Sequence, residues 1–210
     1  MALSNVKLFI KQILARVALS LDSQAQFLEI LDLKQRGLLV IGRHTYGSPK
    51  VWMYQGSECY VTIGGFCSIG PGVQIIAAGI HPPSWVSTYP FRIKWQMTGA
   101  YEDGMPKTKG DIIIGSDVWL GTDFIILSGV SIGHGAIVAT RSVVTHSIPP
   151  FAIVAGSPAK IVRYRFEEGK VDLLLKIAWW DWDEEKIREA VTLLSSGNID
   201  MFIEQYMNTI

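Results

Sequence analysis

An excess of either charge sign is missing from this sequence: 19 lysines and arginines meet 19 aspartates and glutamates. A balanced chain builds no global field, so its charge favours neither nucleic acid nor an acidic partner. Cysteine is scarce, with Cys59 and Cys67 alone and no Cys-x-x-Cys or Cys/His cluster to suggest zinc. The N-terminus lacks a long apolar run and a small-residue cleavage site, so the expectation is no secretory leader and a reducing, cytoplasmic setting. A membrane-spanning helix is also missing. Lys7, Lys11 and Arg16 interrupt the most apolar N-terminal stretch too often for one. What the chain does have is core material: 49% of its 210 residues are hydrophobic, enough for one domain with appendages.

The pattern of that material is unusual. Every sixth residue from Ile114 is aliphatic: Ile114, Leu120, Ile126, Ile132, Val138 and Val144. Two positions before each lies a second apolar or small series, Ile112, Val118, Phe124, Val130, Ala136 and Ser142. Gly115, Gly121 and Gly133 directly follow members of the first series. A period of six matches neither a helix nor a continuous strand. It matches a chain that turns a corner every six residues, so that three sides make a coil of about 18 residues in a parallel β-helix. The aliphatic ladder points inward, and the glycines and polar residues are expected at corners, where unusual φ/ψ is needed.

Taken in order, residues 3–21 show helical apolar spacing with basic residues interspersed. This is an amphipathic helix expected to pack on its own protein rather than on a membrane surface. A short helical stretch follows at Phe27–Leu33. Residues 38–60 read as strands and turns rich in aromatics. The six-residue period begins at Val61, with Ile63, Ile69 and Ile75 inward and Val61, Cys67 and Val73 two positions before. Cys67 therefore reads as a buried thiol. The phase breaks over 81–110, a long aperiodic segment of the kind that is usually functional. It resumes at Ile112 and stops at Pro149-Pro150. Helical patterning returns after 160, with Asp183 placed as an N-cap and Trp179, Trp180 and Trp182 between helices. The N- and C-terminal helices are candidates to cover the open prism ends. The expected organisation is a helical segment over 1–36, a β-helix over 37–160 with its loop at 81–110, and a helical cap over 161–210.

His81 stands where the repeat breaks, stiffened on one side by Pro82-Pro83. His44 lies in a turn, His134 at a solvated corner, and His146 on an outward position beside Thr145. The closest histidine pair, His134 and His146, is too far apart for the histidine trio of a β-helix carbonic anhydrase, so no metal is expected. Outward Trp119 must be covered by a loop, a neighbouring subunit or a ligand. Tyr46, Tyr54, Trp85 and Tyr89 are candidate acceptor walls, because aromatic loop residues suit sugars or drug-like rings.

Six segments then occur in a telling order: Ile63-Gly-Gly-Phe-Cys-Ser-Ile-Gly-Pro-Gly72, Ser87-Thr-Tyr-Pro-Phe91, Lys109-Gly-Asp-Ile-Ile-Ile-Gly115, Asp117-Val-Trp-Leu-Gly121, Ala152-Ile-Val-Ala-Gly-Ser-Pro-Ala-Lys160 and Trp179-Trp-Asp-Trp182. From about residue 60 to the C-terminus the chain resembles the hexapeptide-repeat acetyltransferases. Within them it is most similar to the xenobiotic branch that includes streptogramin and chloramphenicol acetyltransferases. The resemblance implies a left-handed parallel β-helix assembled as a homotrimer, with active sites between adjacent prisms and acetyl-CoA as co-substrate. It matches His81 to the catalytic histidine. The motif here, Ile-His-Pro, departs from the branch's usual Asn-His-Arg and is closer to the Gly-His-Pro of the galactoside type.

The same resemblance assigns the CoA path. Trp119 lies near the thiol end; Thr122, Thr140, Thr145 and His146 line the arm; Lys160 and Arg163 meet the nucleotide phosphates. His146 replaces a frequent lysine. Neither cysteine matches a family nucleophile, so direct transfer is expected, with His81 taking the hydroxyl proton and returning it to the thiolate. The acceptor is a hydroxyl of a sugar, a surface glycan or an antibiotic. The weaker match of residues 1–60 tilts it toward a glycan. Two other functions remain: N-acetylation of an amino sugar nucleotide, with Glu102 or Asp103 orienting the amine, and a non-catalytic β-helix scaffold or binding trimer.

Overall fold

The computed structural model describes residues 24–57 and 59–207, and the chain divides into two units, Met1–Val40 and Ile41–Ile210. The basic amphipathic stretch read at residues 3–21 lies outside the described residues. In the first unit, α1 covers residues 24–35, longer than the Phe27–Leu33 stretch, with Ile30 and Leu33 buried. It ends for a stated reason. Gly37 has φ 71°, its N–H bonds Lys34 O, and the Leu38 N–H bonds Leu33 O. These two bonds satisfy carbonyls that the last turn leaves unpaired.

After β1 (Leu39–Ile41), which straddles the division, the second unit is built from short parallel strands. One sheet sets β6 (Ile112–Ile114) between β3 (Val61–Ile63) and β9 (Ser131–Ile132). A second orders β4 (Ser68–Ile69), β7 (Trp119–Leu120), β10 (Ile137–Val138), β12 (Ala152–Gly156) and β13 (Ala159–Tyr164). A third orders β2 (Lys50–Trp52), β5 (Gln74–Ile76), β8 (Ile125–Leu127) and β11 (Val143–Val144). The register repeats once per coil: Ile113 faces Ser131, Trp119 faces Ile137 and Ile125 faces Val143. Each pair is one three-sided coil apart in sequence. Among the described strands β13 runs antiparallel, folding back on β12 as a hairpin.

Both six-residue series are buried, from Val61 and Ile63 through Ser142 and Val144. Each buried aliphatic contributes about 1.5–3 kcal/mol relative to exposure. Ser142 is fully buried yet satisfied, because its Oγ accepts the Gly156 N–H.

The corners differ from the sequence expectation in one respect. Left-handed φ falls on Phe66 (60°), Asp117 (58°), Asp123 (55°) and Arg141 (58°), not on the glycines that follow the ladder. Gly115 and Gly121 are required by close approach instead. A Cβ on Gly115 would lie 2.7 Å from His134 N, and one on Gly121 2.6 Å from Thr140 N, both in the next coil.

The period ends at Phe151, and the hairpin and helices follow: α3 (Glu168–Ile177), a 3-10 turn (Trp179–Asp181), α4 (Glu184–Leu194) and α5 (Ile199–Met207). Asp183 caps α4 by accepting the Lys186 N–H at 2.8 Å. Phe151, where the period ends, shares one apolar cluster with Val171, Leu174, Ile177, Trp180, Ala190, Phe202 and Tyr206 of the helices that follow. Between β5 and β6 the chain leaves the prism, carrying only the short helix α2 (Phe91–Lys94).

Candidate active site

The excursion after β5 is tied shut at its root. Ile80 and Lys107 exchange two backbone hydrogen bonds, at 3.0 and 2.9 Å. His81 follows directly, exposed, with Nδ1 at 2.6 Å from the Thr88 carbonyl oxygen. A carbonyl only accepts, so Nδ1 carries the hydrogen of the neutral ring and Nε2 presents its lone pair. Tyr54 is brought to this root: a Cβ on Gly79 would sit 2.8 Å from its ring.

Beyond the Thr88 turn opens a cavity of about 400 Å³. Trp85 and Tyr89 line it, together with Phe91, Trp95, Met97, Arg92 and Asp103. Tyr89 and Phe91 pack at 4.9 Å between centroids, and Phe91 and Trp95 also at 4.9 Å. Arg92 Nη1 donates to Asp103 Oδ2 at 3.0 Å. Asp103 also accepts the Met105 N–H. Sequence reasoning had missed Phe91, Arg92, Trp95 and Met97. The i, i+4 spacing of Phe91 and Trp95 was a usable signal for them.

A second constellation lies on the outer face of the second sheet. Ser68 pairs with Trp119, Trp119 with Ile137, Ile137 with Ile153, and Ile153 with Arg163. Tyr46 extends the row through a bridge to Ser68. The neighbouring positions Ile69, Leu120, Val138 and Val154 are buried, so the row faces outward. At a strand spacing of about 4.8 Å it spans about 24 Å. Trp119 is 57% exposed and Tyr46 65%, which makes this an open aromatic and apolar strip with a guanidinium at one end. Thr122 and Thr140 occupy equivalent corners of successive coils beside it, and Lys160 pairs with Ala155 on the hairpin.

The predicted residues therefore form separate groups. Tyr46, Trp119 and Arg163 share one row, with Thr122, Thr140 and Lys160 nearby. His81, Tyr54, Trp85 and Tyr89 belong to the excursion. Thr145 and His146, hydrogen-bonded to each other at 2.8 Å, follow β11 of the third sheet, the sheet from which the excursion also departs.

The other two prism histidines, Arg43 and the cysteines have structural surroundings. His134 is not a solvated corner residue. It stacks on Trp180 at 4.6 Å and 4°, its Nδ1 accepts the Ser116 N–H at 2.9 Å, and burial lowers its pKa. His44 contacts Glu184 at 3.0 Å and stacks on Phe66. Arg43 donates to the Trp180 and Trp182 carbonyls, linking the tryptophan motif to the prism. Cys59 and Cys67 are buried, and burial raises both thiols, which disfavours the thiolate. Among the described residues no group of three or more His, Cys, Asp or Glu could hold a metal ion. None of their helices is long and apolar enough to cross a membrane.

No family model matches the chain. Its similarity to individual proteins is extensive. A chloramphenicol acetyltransferase of Agrobacterium fabrum is 37% identical over 177 residues, covering 77% of this chain and 84% of that one. A virginiamycin A acetyltransferase of Staphylococcus aureus is 37% identical over 175 residues, covering 78% and 80%. A solved hexapeptide-repeat acetyltransferase of Vibrio cholerae, complexed with acetyl coenzyme A, aligns at a TM-score of 0.49 with 33% identity over 62% of each chain.

Proposed function

The chain belongs to the xenobiotic acetyltransferase branch of the hexapeptide-repeat acyltransferases, and from that membership we propose that it moves an acetyl group from acetyl-CoA to a hydroxyl, with His81 as the base. The observation that carries this reading is the 2.6 Å contact of His81 Nδ1 with a carbonyl. It leaves Nε2 as the basic nitrogen. In the proposed step, Nε2 removes the hydroxyl proton while the oxygen attacks the thioester carbonyl. The C–S bond then breaks, and the imidazolium returns the proton to the thiolate. No acyl-enzyme is required, consistent with two buried thiols.

The donor arm is proposed to lie along the outward row. Its phosphates would meet Arg163 and Lys160, its pantetheine would pass Thr140 and Thr122, and its thioester would end near Trp119. His81 leaves from a different sheet. The reading therefore brings the donor row of one chain against the His81 excursion of a neighbouring chain, in a left-handed prism assembled as a trimer. Thr145 and His146 would flank the excursion side of that cleft.

The aromatic cavity beside the Thr88 turn argues for the acceptor. Its walls are mostly ring and thioether surface, and its one carboxylate, Asp103, is engaged by Arg92 and the Met105 N–H. A glycan needs several free polar partners; an apolar, ring-bearing alcohol does not. This favours the antibiotic-like acceptor over the glycan. Asp103, engaged by Arg92 and Met105 N, is poorly placed to orient an amine, which weakens the N-acetylation alternative.

The test is CoA release from acetyl-CoA with chloramphenicol, a streptogramin A, glucosamine and galactosides as acceptors, using the native chain and His81→Ala. The expected result is turnover with a ring-bearing alcohol that falls by about 10²–10⁴ in the variant. Turnover unchanged by the substitution would remove His81 from the chemistry.

A further inference from the structure

A second cavity, of about 370 Å³, lies between the C-terminal helices and a prism corner. The acetyl-transfer reading makes no use of it. Phe151, Phe166, Leu174, Trp179, Val191 and Phe202 wall it, and Asp117 and Arg165 are its charged residues. That size falls within the range of small-molecule sites, and Ser195 and Ser196 add polar lining to the charged pair.

The charged pair is part-exposed, Arg165 at 28% and Asp117 at 29%, so its remaining hydrogen-bonding positions open to the cavity and to water. Asp117 is held by Arg165 Nη1 at 3.3 Å, through Oδ2 alone. A carboxylate offers about four acceptor positions, and among the described residues no hydrogen bond reaches Oδ1. Arg165 Nη1 also donates to the Gly135 carbonyl at 2.7 Å. Its Nε and Nη2 hydrogens have no acceptor among the described residues. The guanidinium is instead layered against Phe151 and Phe166, 5.4 and 5.1 Å from their centroids. Burial raises the Asp117 carboxyl pKa even though Arg165 opposes it. A carboxylate with open acceptor positions thus stands beside a guanidinium with open donors, both at the accessible wall of the cavity.

We propose that this cavity is a second small-molecule site, separate from the acetyl-transfer site, for a neutral planar ligand carrying an amide or lactam edge. The ligand N–H would reach Asp117 Oδ1 and its C=O would accept from Arg165, while the flat body packs among Trp179, Phe151 and Phe166. The pair is neutral overall, so it selects against charge. A carboxylate ligand would face Asp117, and an ammonium would face Arg165. A ligand there would bridge the prism corner and the helices, and so would stabilise their contact.

The experiment is thermal melting of the full chain with nicotinamide and benzamide, against benzoate and benzylamine as charged probes of the same shape. The amides are expected to raise Tm by about 2–4 °C at saturation, and the charged probes are not. Val191→Trp, placed on a half-exposed wall residue, should fill the cavity. It should abolish the shift while leaving CoA release unchanged. Asp117→Ala, which removes the acceptor, should also remove the shift, with circular dichroism checking the fold. The proposal is overturned by no shift with either amide, by equal shifts with the charged probes, or by a shift that survives Val191→Trp.

Discussion

The two histidines that matter most are set by opposite partners. His81 Nδ1 meets a carbonyl and must donate; His134 Nδ1 meets the Ser116 N–H and must accept. The first arrangement leaves a basic nitrogen exposed. The second holds a neutral ring flat against Trp180, where protonation of Nδ1 would abolish the bond. Burial lowers the His134 pKa in the fold, so the unfolded chain binds more protons and stability falls as pH drops below the unfolded value of about 6.5. Melting curves between pH 7.5 and 5.5 should show Tm decreasing, and His134→Gln should flatten that slope. An unchanged slope would mean that another group carries the acid sensitivity. At the acceptor cavity, Trp95→Ala removes a wall without touching His81. The acceptor KM should rise about tenfold with the acetyl-CoA KM unchanged; a rise in the latter would place Trp95 on the donor side.

Among elements, the short strands were the most legible in the sequence, because a buried ladder must repeat with the coil. Every inward residue from Ile63 to Val144 is buried. The corner glycines were legible as positions but not as causes. Their need for close approach, rather than for positive φ, depends on the next coil, which no local pattern reports. The excursion had no period: Trp85 and Tyr89 stood out as loop aromatics, but the Thr88 carbonyl did not, since a backbone acceptor leaves no mark in residue identity. The stacking of His134 on Trp180 was hidden for a similar reason, since the residues are distant in sequence and meet only in the folded chain. Two substitutions test the coil logic. Leu120→Ala should cost about 2–5 kcal/mol by denaturant unfolding. Gly121→Ala should lower Tm despite adding only a methyl, because that methyl would meet the Thr140 backbone at 2.6 Å. A neutral Gly121→Ala would show that adjacent coils can separate at this corner.

At the scale of the whole molecule, the outward row of Tyr46, Trp119 and Arg163 belongs to the second sheet, whereas the His81 excursion departs from the third. The functional reading joins them through two copies of the chain. Co-expression of two inactive forms measures this directly: His81→Ala with one tag, and Lys160→Glu with Arg163→Glu with another. Each retains the half-site that the other lacks. Random assembly into trimers should restore CoA release to about a quarter of the native rate, the share of interfaces that pair an intact histidine with an intact donor row. A mixed preparation no more active than its inactive parents would contradict the account.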